Sequence, residues 1–359
     1  MNKFSRFCLV ISAILCCSCF FIQTEKPIVS AKDFNSGSSS EIVMEKTSNR
    51  ILYGSNIHEK KYMASTTKIL TALVIIENCN LDEIVTVGAK TVGIEGSSIY
   101  LEAGEKLSVK DLLYGLMLRS GNDCAETLAV HCSGSIEKFA CLMNETAAKI
   151  GATESNFVNP HGLHNDNHYT TAYDLALISC YAIRNATFKE IVSTQKIRIP
   201  FSTRNTERVL VNKNKMLKNF EGTTGIKTGF TKKAGRCLVS SCERNGMELV
   251  SVVLNCGPMF ERSETILQNG FNEYEMCNIV GSENIIDFIP VENSDKQCAA
   301  YIKNDVILPL NTEERNNIEI IYELPETVKN TFSGENEIGF VKIYCRKNLI
   351  FTQKVYTIL

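Results

Sequence analysis

Apolar positions recur along this chain with two different periods, and the change between them divides it into two regions. Residues 41–56, EIVMEKTSNRILYGSN, alternate with period two on either side of a polar turn, which predicts a β-hairpin. From Ser65 the run STTKILTALVIIENC has the length of a helix but is apolar on nearly every side, so it predicts a central helix buried all round. SVKD at 108–111 predicts a capping box ahead of LLYGLMLRS, and Thr171 to Asp174 opens TAYDLALISCYAIR in the same way. In SIEKFACLMNETAAKI, one helical stripe collects Ile136, Phe139, Ala140, Met143, Ala147 and Ile150. Later, RCLVSSCERNGMELVSVVLNC places two β-rich runs around Asn245-Gly246, both of which tolerate positive φ, so a tight hairpin is expected. FERSETILQNGFNEYE returns to helical period.

After about Cys277 the texture becomes short alternating runs separated by turns: YIKNDVILPL, NIEIIYEL and IGFVKIYCRKNLIFTQKVYTIL. The pattern predicts a mixed α/β (α+β) domain over 41–276 and a small β-rich domain over 277–359. NSGSSS at 35–40 reads as a polar linker, within a linker spanning 32–40.

The 359 residues carry a formal net charge of −2 with no long single-sign block, which gives no support to a nucleic-acid partner. The N-terminus reads MNKFSRFCLVISAILCCSCFFIQ, with Lys3 and Arg6 ahead of an apolar run and small residues Val29-Ser30-Ala31 further on. That layout predicts a secretory signal peptide over 1–31, cut after Ala31, and an exported protein. An uncleaved membrane anchor is the alternative, since the run is near the lower limit for spanning. Lipid attachment at Cys16, Cys17 or Cys19 fits less well, because the residues before each do not form the small-residue pattern.

Export and 15 cysteines would together suggest disulfides. Beyond the leader, however, they are odd in number, widely scattered and mostly within apolar periodic segments, so buried free thiols are expected. Among them no C-x-x-C pair occurs, which leaves a zinc site without sequence support.

The chemistry is concentrated in three short stretches. Ser65 and Lys68 are three apart, so on a helix they share a face. A serine hydroxyl is a weak nucleophile without a base beside it, and a lysine serves as that base only when burial or a second cation destabilises its ammonium. The apolar helix supplies burial, and another lysine could supply repulsion. Taken alone, S-x-x-K is a weak signal; Ser120 could be only a helix cap and Lys227 only a solvated strand charge. The chain also holds Ser120-Gly121-Asn122 at the start of a helical run and Lys227-Thr228-Gly229 on a strand. S-x-x-K, S-x-N and K-T-G in this order resemble the penicillin-recognising serine enzymes. With the flanks NPHGLHNDNHYTTAYDLALI and KTGFTKKAGRCLVSSCERNG, the chain is identified as a member of the D-alanyl-D-alanine carboxypeptidases, the low-molecular-weight penicillin-binding proteins.

That resemblance implies a penicillin-binding, β-lactamase-like transpeptidase domain, an antiparallel sheet with helices on both faces, followed by the small β domain. It implies that Ser65 attacks the carbonyl between two terminal D-alanines of a peptidoglycan stem peptide, and that β-lactams acylate the same residue. Lys68 would take the serine proton, although the superfamily uses more than one group as base. Ser120 would relay a proton to the leaving amine, and Asn122 would hold Lys68 and the substrate amide. Lys227 and Thr228 would receive the free carboxylate. Gly229 would let the substrate lie along the strand edge, and the N–H groups of Ser65 and Phe230 would form the oxyanion hole. Lys213, in VNKNKML, stands near where relatives carry a basic residue for that carboxylate. The family needs no metal or cofactor. His161, His164, Asp166 and His168 have a spacing compatible with zinc, but the Asn-Pro-His-Gly text around them is turn-like.

Two rival functions follow from the same residues. One is a β-lactamase, against which stands the lack of a Glu-x-x-Leu-Asn segment between Ser120 and Lys227. The other is a catalytically silent cell-wall or spore-assembly protein. Relatives often end in an amphipathic membrane-anchoring helix, whereas FTQKVYTIL reads as a strand, so membrane association would come from the leader or a partner.

Overall fold

The computed structural model describes residues 40–329 and 334–358. The expectations placed on residues 1–39, the leader with its cut and nearly all of the linker, lie outside the described residues. Ser40, the last linker residue, already opens a strand, Ser40–Glu45, which turns back as Ile51–Ser55.

This N-terminal hairpin does not stand alone. Ser40–Glu45 pairs antiparallel with the much later strand Met247–Leu254, with Val43 opposite Ser251. The resulting sheet runs in the order Ile51–Ser55, Ser40–Glu45, Met247–Leu254, Gly235–Arg244, Thr223–Thr231, all antiparallel. Asn245 and Gly246 make the expected tight turn, with φ of 50° and 77°. Helices cover both faces: Ala172–Ile183 lies against Ser40–Glu45 and Met247–Leu254, and Met259–Glu273 lies against Met247–Leu254 and Gly235–Arg244. Period-two alternation therefore sorts side chains between two cores and not between core and solvent. Ile42, Met44, Val250 and Val252 enter one cluster, and Val43, Leu249 and Val253 enter the other. All six residues of Ser40–Glu45 are buried as a result.

The central helix spans Lys68–Asn78, and every residue from Lys68 to Ile75 is buried. It is packed among the helices Val109–Leu118, Asn122–Ser133, Ile136–Ile150 and Ala172–Ile183. The box at Ser108 closes on both sides: Asp111 N donates to Ser108 Oγ at 3.0 Å and Ser108 N to Asp111 Oδ2 at 3.3 Å. The one at Thr171 is only half made. Asp174 N donates to Thr171 Oγ1 at 3.1 Å, but the Asp174 carboxylate accepts from Glu154 N and Ser155 Oγ, both at 2.7 Å, and so ties down the loop before the helix.

From Glu275 the chain forms a second module with its own core around Val291, Leu308, Val341 and Val355. Glu275–Val280 pairs with Val306–Leu310, and a five-stranded antiparallel sheet runs Asp287–Pro290, Gln297–Tyr301, Asn348–Ile358, Glu335–Cys345, Ile318–Glu323. Arg50, from the N-terminal hairpin, reaches this module at Pro309 O and the Glu314 carboxylate.

Glu41 of the sheet is fully buried and held by Arg262. Arg262 Nε lies 2.9 Å from both carboxylate oxygens and its Nη2 lies 2.6 Å from Oε2; Tyr53 OH donates to the same oxygen at 2.9 Å. Removing the cation from a buried pair costs more than removing both partners. Arg262→Met should therefore lower unfolding stability by ~3–5 kcal/mol. The double variant Glu41→Leu/Arg262→Met should recover part of that loss. Denaturant midpoints of the three proteins check the order.

Candidate active site

Ser65 sits in a 3-10 turn, Ala64–Thr67, that leads straight into the central helix. Ala64 is held at φ 49°, a conformation most residues avoid, and two threonines stabilise the turn. Thr66 Oγ1 donates to Met63 O at 2.7 Å and Thr67 Oγ1 to Ala64 O at 2.8 Å. Gly162 packs against the same point, where a Cβ would meet Ala64 O at 1.9 Å. The two threonines of STTK thus hold the turn that carries Ser65 in place, a role that the spacing of Ser65 and Lys68 does not indicate.

Lys68 is fully buried. Its Nζ lies 3.2 Å from Ser65 Oγ, 2.7 Å from Asn122 Oδ1 and 2.6 Å from the carbonyl oxygen of His161. Burial, then repulsion from Lys227, pushes its pKa well below the ordinary lysine value. Two of the three partners can only accept. A neutral amine, with two N–H bonds and one lone pair, therefore satisfies all three contacts only by aiming its lone pair at the Ser65 hydroxyl.

Asn122 is the first residue of the helix Asn122–Ser133. Its Nδ2 donates to Glu95 O at 2.6 Å and its backbone N to Ser97 O at 2.7 Å, which orients the amide with Oδ1 towards Lys68. Ser120 is buried with φ 64°, and the helix N-cap is Gly121, so Ser120 is not a capping residue. The neighbouring Asp123, fully buried and not singled out by the sequence, accepts from Ser98 Oγ at 2.6 Å, Leu101 N at 3.0 Å and Ile99 N at 3.2 Å. It anchors the 97–101 loop beside the site.

Thr223–Thr231 is the edge strand of the sheet, with Lys227-Thr228-Gly229 within it. A Cβ on Gly229 would lie 3.0 Å from Met63 O, 3.1 Å from Ser65 N and 3.2 Å from Thr66 N. A side chain there would crowd the turn that carries Ser65, a constraint separate from the expected one of a molecule lying along the edge. Lys227 is buried and donates to Thr228 O at 2.9 Å; burial, then the charge of Lys213, lowers its pKa to about 7. Lys213 Nζ donates to Ser97 Oγ at 3.0 Å, on the loop that also receives Asn122 N. The Phe230 side chain is largely exposed, with the Arg236 guanidinium 5.9 Å from its ring centroid.

The histidine-rich stretch builds the wall behind Lys68. Asn159 Oδ1 accepts from Gly162 N at 2.7 Å and His161 N at 3.3 Å, shaping the turn that presents the His161 carbonyl. Val158 N donates to His168 Nδ1 at 3.1 Å, which leaves Nε2–H facing Thr67 Oγ1 at 2.8 Å. His161 Nδ1 accepts from Leu163 N at 3.1 Å, and His164 Nε2 lies 3.3 Å from Asp166 Oδ1. Burial lowers His161 to about 3 and His168 to about 4, so both rings are neutral. Among the described residues no three His, Cys, Asp or Glu side chains come together as a metal site.

Residues 26–257 match the family model described as D-alanyl-D-alanine carboxypeptidase, and residues 274–358 match that of the C-terminal domain of penicillin-binding protein 5. The chain belongs to the D-alanyl-D-alanine carboxypeptidase family. It is 28% identical over 312 residues to D-alanyl-D-alanine carboxypeptidase DacF of Bacillus subtilis, covering 84% of this chain and 79% of the relative. It is 36% identical over 254 residues to DacC of Escherichia coli, covering 65% and 61%. Among solved structures, penicillin-binding protein 5 of Haemophilus influenzae superposes with a TM-score of 0.79 at 27% identity, over 91% of this chain and 98% of that one. This carboxypeptidase is a serine-type peptidase, and both of its modules have counterparts in the family.

Two outcomes follow from the geometry. Gly229→Ala crowds three backbone atoms of the serine turn and should slow acylation by penicillin at least ~10-fold while leaving the fold intact, read by stopped-flow acylation and circular dichroism. A base with a depressed pKa is protonated, and idle, only below that lowered value. Acylation should therefore fall as pH drops through the pKa of Lys68. In Lys227→Gln the repelling charge is gone, the Lys68 pKa rises, and the acid limb of kcat/KM moves to higher pH. An unmoved limb, or one displaced to lower pH, contradicts the assignment of Lys68 as base.

Proposed function

We propose that this carboxypeptidase removes the terminal D-alanine from peptidoglycan stem peptides through an acyl-enzyme on Ser65. The observation that carries the reading is the Lys68 amine, buried and held between Asn122, the His161 carbonyl and the Ser65 hydroxyl. Lys68 takes the Ser65 proton as Oγ attacks the carbonyl between the two D-alanines. The N–H groups of Ser65 and Phe230 stabilise the oxyanion, a kind of contact worth ~3–4 kcal/mol per donor. Ser120 relays the proton to the departing amine, and water then releases the shortened peptide from Ser65.

Three lysines favour a substrate that ends in a carboxylate. A carboxylate arriving at Lys227 and Thr228, with Lys213 nearby, restores the Lys227 charge that burial disfavours. The edge position of the strand lets the peptide backbone pair alongside it. Residues 41–276 form the catalytic domain in this reading, and 277–359 a β domain that acts as a spacer or protein contact. The enzyme works outside the cytoplasm after export, trimming stem peptides and so limiting their cross-linking. Among the described residues no helix is long and apolar enough to cross a membrane, so attachment to the outer membrane face falls to the leader or a partner.

β-Lactams occupy the same site and acylate the same hydroxyl. Mass spectrometry after penicillin treatment should place a stable adduct on Ser65, and an adduct on any other residue overturns the reading. Rapid release of hydrolysed penicillin would instead favour the β-lactamase alternative. Lys68→Ala should slow acylation by about 10³-fold, the scale of a lost general base. D-alanine release from a peptide ending in Lys-D-Ala-D-Ala should be abolished by Ser65→Ala. A folded wild-type protein with no turnover of that peptide would point to the silent wall-binding role.

A further inference from the structure

The hairpin of Lys196–Phe201 and Thr206–Val211 stands outside the main sheet as a two-stranded sheet of its own. It meets the loop of 97–101, whose Ser97 O accepts from Asn122 N. Just past the hairpin, Lys213 holds one end of that loop through Ser97 Oγ; within its second strand, Arg208 reaches the other end. Arg208 is 9% exposed, and its partner Glu105 is fully buried. Nη1 and Nη2 of Arg208 take the two carboxylate oxygens of Glu105, and Nη2 also donates to Tyr100 O at 2.8 Å. The guanidinium lies over the Phe201 ring, 3.4 Å from its centroid. Tyr100 itself has φ 60°, a conformation bulky residues avoid, and its ring is 81% exposed. The surroundings hold it there: Tyr100 N donates to Ser98 Oγ at 2.8 Å, Ile99 N and Leu101 N donate to Asp123, and Arg208 closes the carbonyl.

We propose that Arg208 is a positioning residue for acylation: by clamping the Tyr100 carbonyl it fixes the 97–101 loop, and through Ser97 that loop holds Asn122 on the Lys68 amine. The proposal rests on the reading of Ser65 and Lys68 as nucleophile and base, and extends it to a residue that touches neither. A planar fork is what the joint requires. One ammonium cannot span two carboxylate oxygens and a carbonyl while lying flat on a ring, so lysine is no substitute. The residues that would receive a substrate carboxylate are fixed by other means. Lys227 and Thr228 stand on the edge strand, and Lys213 N donates to Leu118 O at 3.2 Å. The clamp therefore governs the chemical step and leaves ligand affinity nearly unchanged.

Arg208→Lys and the double variant Arg208→Met/Glu105→Gln are compared with the wild-type chain. The double variant leaves no unpaired buried charge, so it keeps the test open if the single change impairs folding. Stopped-flow acylation by penicillin separates Kd from the acylation rate constant k2, titration with penicillin gives the fraction of protein that can be acylated, and hydrogen exchange reads the amides. In both variants k2 should fall at least ~10-fold while Kd stays within about 3-fold and nearly all the protein remains acylatable. Exchange at Ile99, Leu101 and Asn122 should quicken at least ~10-fold, with the helix Lys68–Asn78 unchanged. A merely structural Arg208 would lower the acylatable fraction and leave k2 of the remainder at the wild-type value. That result, or unchanged exchange over 97–101, overturns the proposal. Wild-type protein that penicillin does not acylate at Ser65 refutes the proposed function instead, and the exchange rates then still decide whether Arg208 holds the loop.

Discussion

A lysine side chain placed wholly inside an apolar helix packing is the constraint around which this molecule is arranged. Such a group is costly to bury charged, and it is tolerated as a neutral amine only where each polar direction finds a partner. Lys68 finds an amide oxygen, a backbone carbonyl and the serine hydroxyl, and each comes from a different part of the chain. The elements that deliver them are correspondingly rigid: a helix N-terminus for Asn122, an Asn159-braced turn for the His161 carbonyl, and a threonine-braced turn for Ser65. The result is a lysine whose charged form burial disfavours, 3.2 Å from the Ser65 hydroxyl.

Positive charge is concentrated in the same place. Lys227 lowers Lys68, and Lys213 lowers Lys227, so the three lysines work against each other until an anion arrives. An anion placed among them would offset both the burial and the mutual repulsion that disfavour their charges. Asp123 contributes differently: its oxygens accept from the loop of 97–101, and its charge opposes the lowering of Lys68. The sheet completes the site from the other side. Its edge strand approaches the serine turn closely at Gly229, where a side chain would press on backbone atoms of Met63, Ser65 and Thr66.

The histidine-rich segment shows how a motif with one chemical appearance can have a different physical use. Its rings accept from backbone N–H groups or face hydroxyl and carboxylate partners, and the two that are buried are held neutral by burial. Ligand-like spacing along a turn says little about convergence in space, because adjacent turn residues point to different sides of the backbone.

Much of the fold was legible because it rests on local periodicity. The buried central helix, the Ser108 box, the Asn245-Gly246 turn and the shift to short strands all follow from nearest-neighbour chemistry and period. The motif residues Ser65, Lys68 and Asn122 were legible because few spacings of reactive side chains recur in one order. What tertiary structure alone decided involves residues distant in the chain: the pairing of Ser40–Glu45 with Met247–Leu254, the His161 carbonyl at Lys68 and the crowding at Gly229. Backbone carbonyls and a missing Cβ leave no mark on residue type at their partner. Sequence by itself determined the elements and the reactive groups; packing decided which groups meet, because a contact depends on two surfaces and the chain writes them far apart.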